Sequence, residues 1–81
     1  MATPGASEAM QVSGDDAEVF LLRHVTGEWG DLCQEDKKEN EFSLNRHLRL
    51  LSAYELANGQ RLWVITQGDR SATTLLLPQE Y

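Results

Sequence analysis

One strong hairpin signal constrains the fold of this chain more than any other feature of its sequence. Asn58-Gly59 lies between two apolar segments, residues 50–56 and 61–66. Asn-Gly favours a two-residue type I′ turn, because both central residues of that turn adopt positive φ. Such a turn predicts an antiparallel hairpin in which Tyr54 lies directly opposite Trp63.

A third apolar segment extends the hairpin into a sheet. A polar turn over residues 68–71 leads into residues 73–77, which have the composition of a strand. Three consecutive strands joined by short turns predict a three-stranded antiparallel meander, apolar on both faces.

The segment before the sheet has helical periodicity. Apolar residues at helical spacing predict a helix over about 16–25, with Leu22 and Val25 in its apolar stripe. The charged stretch from 32 to about 45 predicts a second, solvated helix or an ordered loop. We therefore expect an α+β fold, with one or two helices packed on the meander.

The first fourteen residues are small and polar, which is typical of a disordered tail. The expected organisation is a disordered tail over 1–14 and a single α+β domain over 15–81. Eighty-one residues allow only one modest core.

Cys33 is the only cysteine, so an intrachain disulfide is excluded, and the spacing of a zinc site is absent. A single thiol fits a reducing compartment, and we expect a cytoplasmic protein with no metal and no cofactor. The sequence contains neither a signal peptide nor an apolar stretch of membrane-spanning length, so no membrane association is expected.

The formal charge of −6 is unevenly distributed. Residues 1–45 carry ten acidic and three basic residues, whereas residues 46–81 carry three acidic and four basic residues. The acidic half repels a phosphate backbone, which argues against duplex DNA as a partner.

The candidate site combines the end of the first helix with the polar loop before the last strand. His24 could exchange a proton, and a planar guanidinium could hold a phosphate. The catalytic candidates are His24, Arg23 and Arg70, and the ligand-binding candidates are Asp69, Arg70, Ser71 and Thr73, with Thr66 nearby.

Each candidate also has a purely structural interpretation. His24 can be a helix-end cation, and Arg23 can pair with Glu28 or Asp31. Asp69 and Ser71 can satisfy the amides of a turn. Arg70 is expected either to form an ion pair with the acidic helical half or to bind an anion beside His24.

Four segments of the chain carry a resemblance to known proteins: residues 23–31 (RHVTGEWGD), 50–54 (LLSAY), 63–66 (WVIT) and 69–81 (DRSATTLLLPQEY). Through these segments the chain resembles a family of short, uncharacterised bacterial proteins, often labelled plasmid-related or found near mobile elements. This chain has Gln67-Gly68 where the family pattern has an acidic residue and an alanine. The resemblance implies a bacterial accessory protein and names no activity.

Two classes of function remain open. The first is a non-catalytic protein-interaction module, associated with plasmids or mobile elements, that binds an unknown protein through a sheet edge or an apolar sheet face. The alternative is a barnase-like ribonuclease or toxin-type domain acting on RNA, since such enzymes also place a helix before a meander. Convergence of Arg23, His24 and Arg70 on one anion position would favour the enzyme.

Overall fold

The structure is a computed structural model and describes residues 1–46 and 48–81, with only the main chain described at residue 45. The elements of the chain are α1 (Pro4–Ser13), α2 (Ala17–Val25), α3 (Gln34–Arg46), β1 (Leu50–Glu55), β2 (Arg61–Thr66), β3 (Thr73–Leu76) and a short 3₁₀ turn (Pro78–Glu80). The three strands form an antiparallel sheet in the order β1-β2-β3, which confirms the meander and the α+β class.

The segment expected to be a disordered tail instead contains α1, so three helices replace the expected one or two. The side chain of Thr3 accepts a hydrogen bond from the backbone N–H of Ala6, and Pro4 begins the helix. Gly14 ends it in the left-handed conformation, with φ 79°. The helix buries Ala6 and Met10. Composition misled the prediction, because small residues also allow a helix to pack closely on a sheet.

The hairpin loop is one residue longer than predicted. The N–H of Leu56 donates to the carbonyl of Gln60 (2.8 Å), which encloses three loop residues. Gly59 has φ 89°, whereas Asn58 is not among the residues with positive φ. A three-residue loop with a single left-handed glycine is a common alternative to the type I′ turn.

The longer loop shifts the pairing by one residue. Tyr54 pairs with Leu62, and Trp63 pairs with Ala53, so the predicted Tyr54–Trp63 pair is wrong. Because side chains alternate along a strand, Tyr54 and Trp63 lie on opposite faces of the sheet.

The main core lies between one face of the sheet and helices α1 and α2. Tyr54 stacks on Phe20, with ring centroids 5.5 Å apart. On the other face Trp63 meets the edge of Tyr81, with centroids 5.6 Å apart. The buried residues of the core cluster are Ala6, Ala9, Met10, Phe20, Tyr54, Leu56, Leu62, Val64, Leu75 and Leu77.

The outer edge of β1 is paired within the chain. The N–H of Ala53 donates to the carbonyl of Trp29 (3.1 Å), and the carbonyl of Ala53 accepts from the N–H of Asp31 (2.7 Å). Farther along, the buried side-chain amide of Asn40 donates to the carbonyl of Leu51 and accepts from its N–H.

The outer edge of β3 is paired in the same way by the first residues of the chain. The N–H of Leu75 donates to the carbonyl of Met1 (2.8 Å), and its carbonyl accepts from the N–H of Thr3 (2.9 Å). The expectation of open edges for β-augmentation is therefore wrong at these positions.

Candidate functional site

His24 lies inside the protein, in a chain of hydrogen bonds that joins α2 to all three strands. Its side chain is 2% exposed. Nδ1 lies 2.5 Å from the hydroxyl of Ser52, and Nε2 lies 2.7 Å from the hydroxyl of Thr66. The hydroxyl of Thr66 is in turn 2.9 Å from that of Thr73. The sequence analysis named three of these four residues.

Burial lowers the pKa of His24 below its ordinary value of 6.5, because the charged imidazolium is poorly solvated there. A neutral imidazole has one donor and one acceptor, and rotating hydroxyls can serve both. The ring also meets the edge of Trp29 at 5.7 Å. Both ring nitrogens are therefore engaged inside the protein, and His24 is not the exposed helix-end cation of the structural interpretation.

Arg23 is held on the surface beside α2. Nε and Nη2 both contact Oε1 of Glu28, at 2.9 and 2.6 Å, which confirms one of the two ion pairs considered from the sequence. The hydrogen bond with the Glu28 carboxylate raises the pKa of Arg23. The guanidinium also lies 4.4 Å from the ring centroid of Tyr54. Asp31, the other possible partner, instead pairs with Arg61.

Arg70 binds main-chain carbonyls. Its guanidinium donates to Leu48 (2.7 Å), Ser43 (3.0 Å), Gly68 (3.1 Å) and Gln67 (3.2 Å). These contacts join the last turns of α3 to the β2–β3 loop. Arg70 has φ 63°, a left-handed conformation that costs a non-glycine residue free energy. Among the described residues Arg70 forms no ion pair with the acidic helical half, and its guanidinium is directed at main-chain carbonyls instead.

Asp69 and Ser71 form a local turn, as the structural interpretation predicted. Oδ1 of Asp69 accepts from the Ser71 N–H (3.0 Å) and hydroxyl (2.6 Å). These hydrogen bonds lower the pKa of Asp69. Asp69 and Ser71 therefore hydrogen-bond to each other within the β2–β3 loop.

Among the described residues the three catalytic candidates share no hydrogen-bond partner, and of the three only His24 hydrogen-bonds to other predicted site residues there. Sequence reasoning missed Ser52, which is fully buried between Leu50 and Tyr54 on the inward face of β1. A polar residue that alternates with Leu50 and Tyr54 along one strand is a signal that the sequence does contain.

The described surface also contains an apolar feature on α2 that we call the α2 outer surface, defined by Val19, Leu22 and Val25. Their exposed fractions are 53%, 64% and 72%. Phe20, Leu22 and Val25 were expected in the packed stripe of α2; Phe20 is buried as expected, but His24 is buried with it and Leu22 and Val25 are exposed. The polar His24 takes an inward position and thus turns aliphatic residues outward.

A shallow depression of about 460 Å³ lies along this surface. It is lined by Asp16, Glu18, Val19, Leu21, Leu22 and Val25. The arrangement offers aliphatic contacts with carboxylates at one end.

Comparison with protein families, curated proteins and solved structures gives no match for this chain. Over the described residues, His, Cys, Asp and Glu form no group of three or more that could hold a metal ion. Within the same residues, no helix has the length and apolar character needed to cross a bilayer.

Proposed function

We propose that this chain is a non-catalytic protein-interaction module that binds its partner through the α2 outer surface. The observation that carries the proposal is the exposure of three aliphatic side chains along one helix of a small domain. Contiguous apolar surface of this kind marks interaction sites more often than isolated exposed residues do.

The energetics favour a weak or moderate interaction. Burying one aliphatic side chain completely is worth about 1.5–3 kcal/mol. The exposed parts of Val19, Leu22 and Val25 therefore supply roughly 3–6 kcal/mol before the cost of association. Useful affinity requires additional contacts at the rim of the surface.

The ribonuclease alternative finds little support in the geometry. That chemistry needs a general base, a general acid and a cation beside the scissile phosphate. Burial removes His24 from solvent, Glu28 engages Arg23, and main-chain carbonyls engage Arg70.

The resemblance to plasmid-related proteins leads us to propose that the partner is a protein encoded on a plasmid or mobile element.

Site-specific photo-crosslinking in cells tests the proposal. A photoreactive residue at position 22 is compared with one at position 12, because Val12 is 74% exposed on α1 and lies outside the α2 outer surface. We expect a discrete crosslinked protein at position 22 only, and its loss in Val25→Lys. Equal crosslinking at both positions, or none at position 22, would contradict the proposal.

A cleavage assay tests the alternative. RNA that is degraded by the wild-type protein, but not by a folded His24→Gln variant, would establish the ribonuclease.

A further inference from the structure

We infer that the partner presents an amphipathic helix whose apolar face is flanked by lysine or arginine. This inference rests on the proposed function and specifies the chemistry of the partner at the same surface.

The charges around the α2 outer surface indicate the sign of the charge that the partner carries. The carboxylates of Asp16 and Glu18 line the depression, and no basic side chain does. Over the described residues, neither carboxylate forms an ion pair, because the observed pairs join Arg23 to Glu28 and Arg61 to Asp31. The carboxylate of Asp16 accepts a hydrogen bond from the N–H of Glu18 at the start of α2, and a basic group on the partner would meet both carboxylates without displacing an ion pair.

The shape of the surface favours a helix over a strand. Val19, Leu22 and Val25 are spaced three residues apart and form a ridge about 9 Å long. Such a ridge fits the groove between side-chain rows of a second helix. An incoming strand would need a free sheet edge, and both outer edges are paired at Ala53 and Leu75.

A second copy of the chain fits this surface less well. Each copy carries a formal charge of −6, so two copies repel each other at long range. An anionic membrane surface is disfavoured by the same carboxylates.

Two synthetic peptides of about 18 residues can test the inference, since shorter isolated helices are marginal in water. One combines leucine with lysine, and the other has the same leucine positions with glutamate instead of lysine. Each is titrated into ¹⁵N-labelled protein. We expect the leucine–lysine peptide to shift the amides of Val19, Leu22 and Val25, and the leucine–glutamate peptide to leave them unchanged.

Glu18→Gln and Glu8→Gln form a matched pair, because both glutamates are exposed on helices and only Glu18 lines the depression. We expect Glu18→Gln to weaken binding of the leucine–lysine peptide about two- to fivefold, as for an exposed charge pair. Glu8→Gln should leave that affinity unchanged.

The outcomes separate this inference from the proposed function. Equal binding of both peptides at α2, or no effect of Glu18→Gln on affinity, overturns the inference that the partner is basic. Either result leaves the proposal that the α2 outer surface binds a partner intact. If the leucine–lysine peptide instead shifts amides centred on α3, its binding reflects general charge attraction, and the inference is overturned. If the protein forms a dimer that Val25→Lys dissociates, a second copy occupies the α2 outer surface, and the inference of a basic partner is also overturned. Failure of both peptides at α2, together with no crosslink at position 22, overturns the proposed function as well.

Discussion

Asn40→Asp replaces the side-chain NH₂ group by a carboxylate oxygen and should destabilise the pairing at the outer edge of β1. The amide of Asn40 is 4% exposed, and it both donates to and accepts from Leu51. Aspartate keeps the acceptor for the Leu51 N–H. It replaces the donor by a carboxylate oxygen that faces the Leu51 carbonyl.

The cost follows from the contacts that change. One hydrogen bond, worth about 0.5–1.5 kcal/mol, is lost, and the Leu51 carbonyl is left without its donor at about 1–3 kcal/mol. These two contributions overlap, so we expect Asn40→Asp to lower the free energy of unfolding by about 2–4 kcal/mol at pH 7. A domain of this size has roughly 5–15 kcal/mol in total.

The loss should also depend on pH. Burial and the facing carbonyl raise the pKa of the new carboxyl group in the folded state. The folded variant then binds more protons than the unfolded chain, so its deficit relative to wild type grows as pH rises above about 3.9. Below that value the protonated carboxyl again donates to Leu51, and the deficit should narrow.

Urea denaturation of both proteins at pH 7 and near pH 4 measures these differences. Asn58→Asp is the matched control, because Asn58 makes its contacts with Gln60 in an exposed turn and the same change there should cost under about 0.5 kcal/mol. A deficit for Asn40→Asp at pH 7 that is no larger than this control would refute the role of Asn40 in closing the β1 edge.

Four further outcomes follow from the structure. Because the pKa of His24 is lowered, stability should be full above pH 6.5 and fall as pH drops below it, and His24→Gln should flatten that slope in denaturation midpoints. Arg70→Gln should cost about 1–3 kcal/mol through lost charge-assisted hydrogen bonds, with unchanged phosphate-induced chemical shifts; a change in those shifts would restore the anion site. Trp63→Ala should lower the free energy of unfolding by less than the 3–5 kcal/mol of a core cavity, whereas Leu62→Ala, at a buried position, should lower it by about 2–5 kcal/mol. A lower denaturation midpoint for Trp63→Ala than for Leu62→Ala would restore the predicted register. Gly30→Ala should largely unfold the domain as judged by circular dichroism, because the new Cβ would overlap the main-chain oxygen of Ala53, and position 30 has φ 76°.

Local patterns predicted most of the fold. Periodicity located α2 and the three strands, because both signals depend on neighbouring residues. The signals for α1 were also present, as Thr3 and Pro4 at its start and Gly14 at its end, but composition outweighed them. The register failed because Asn-Gly is compatible with loops of two lengths, and local sequence does not choose between them.

The site was less predictable, because its contacts join distant parts of the chain. His24 meets Ser52 and Thr66 across 28 and 42 positions, and no local pattern encodes such a meeting. Arg70 was expected to seek a negative charge. It instead binds several carbonyl dipoles, which a sequence cannot reveal without the packing of α3 on the loop.

The pairing of the first residues with β3 also bears on the order in which the chain can fold during synthesis. Met1 contacts Thr73 across 72 positions, and Thr3 contacts Glu80 across 77. At about 5–20 residues per second, a ribosome needs roughly 4–14 s to span this interval. Helix α1 is therefore made well before the strand it packs against, and Ala6 and Met10 stay uncovered until β3 follows, so closure of the domain is a late and cooperative event.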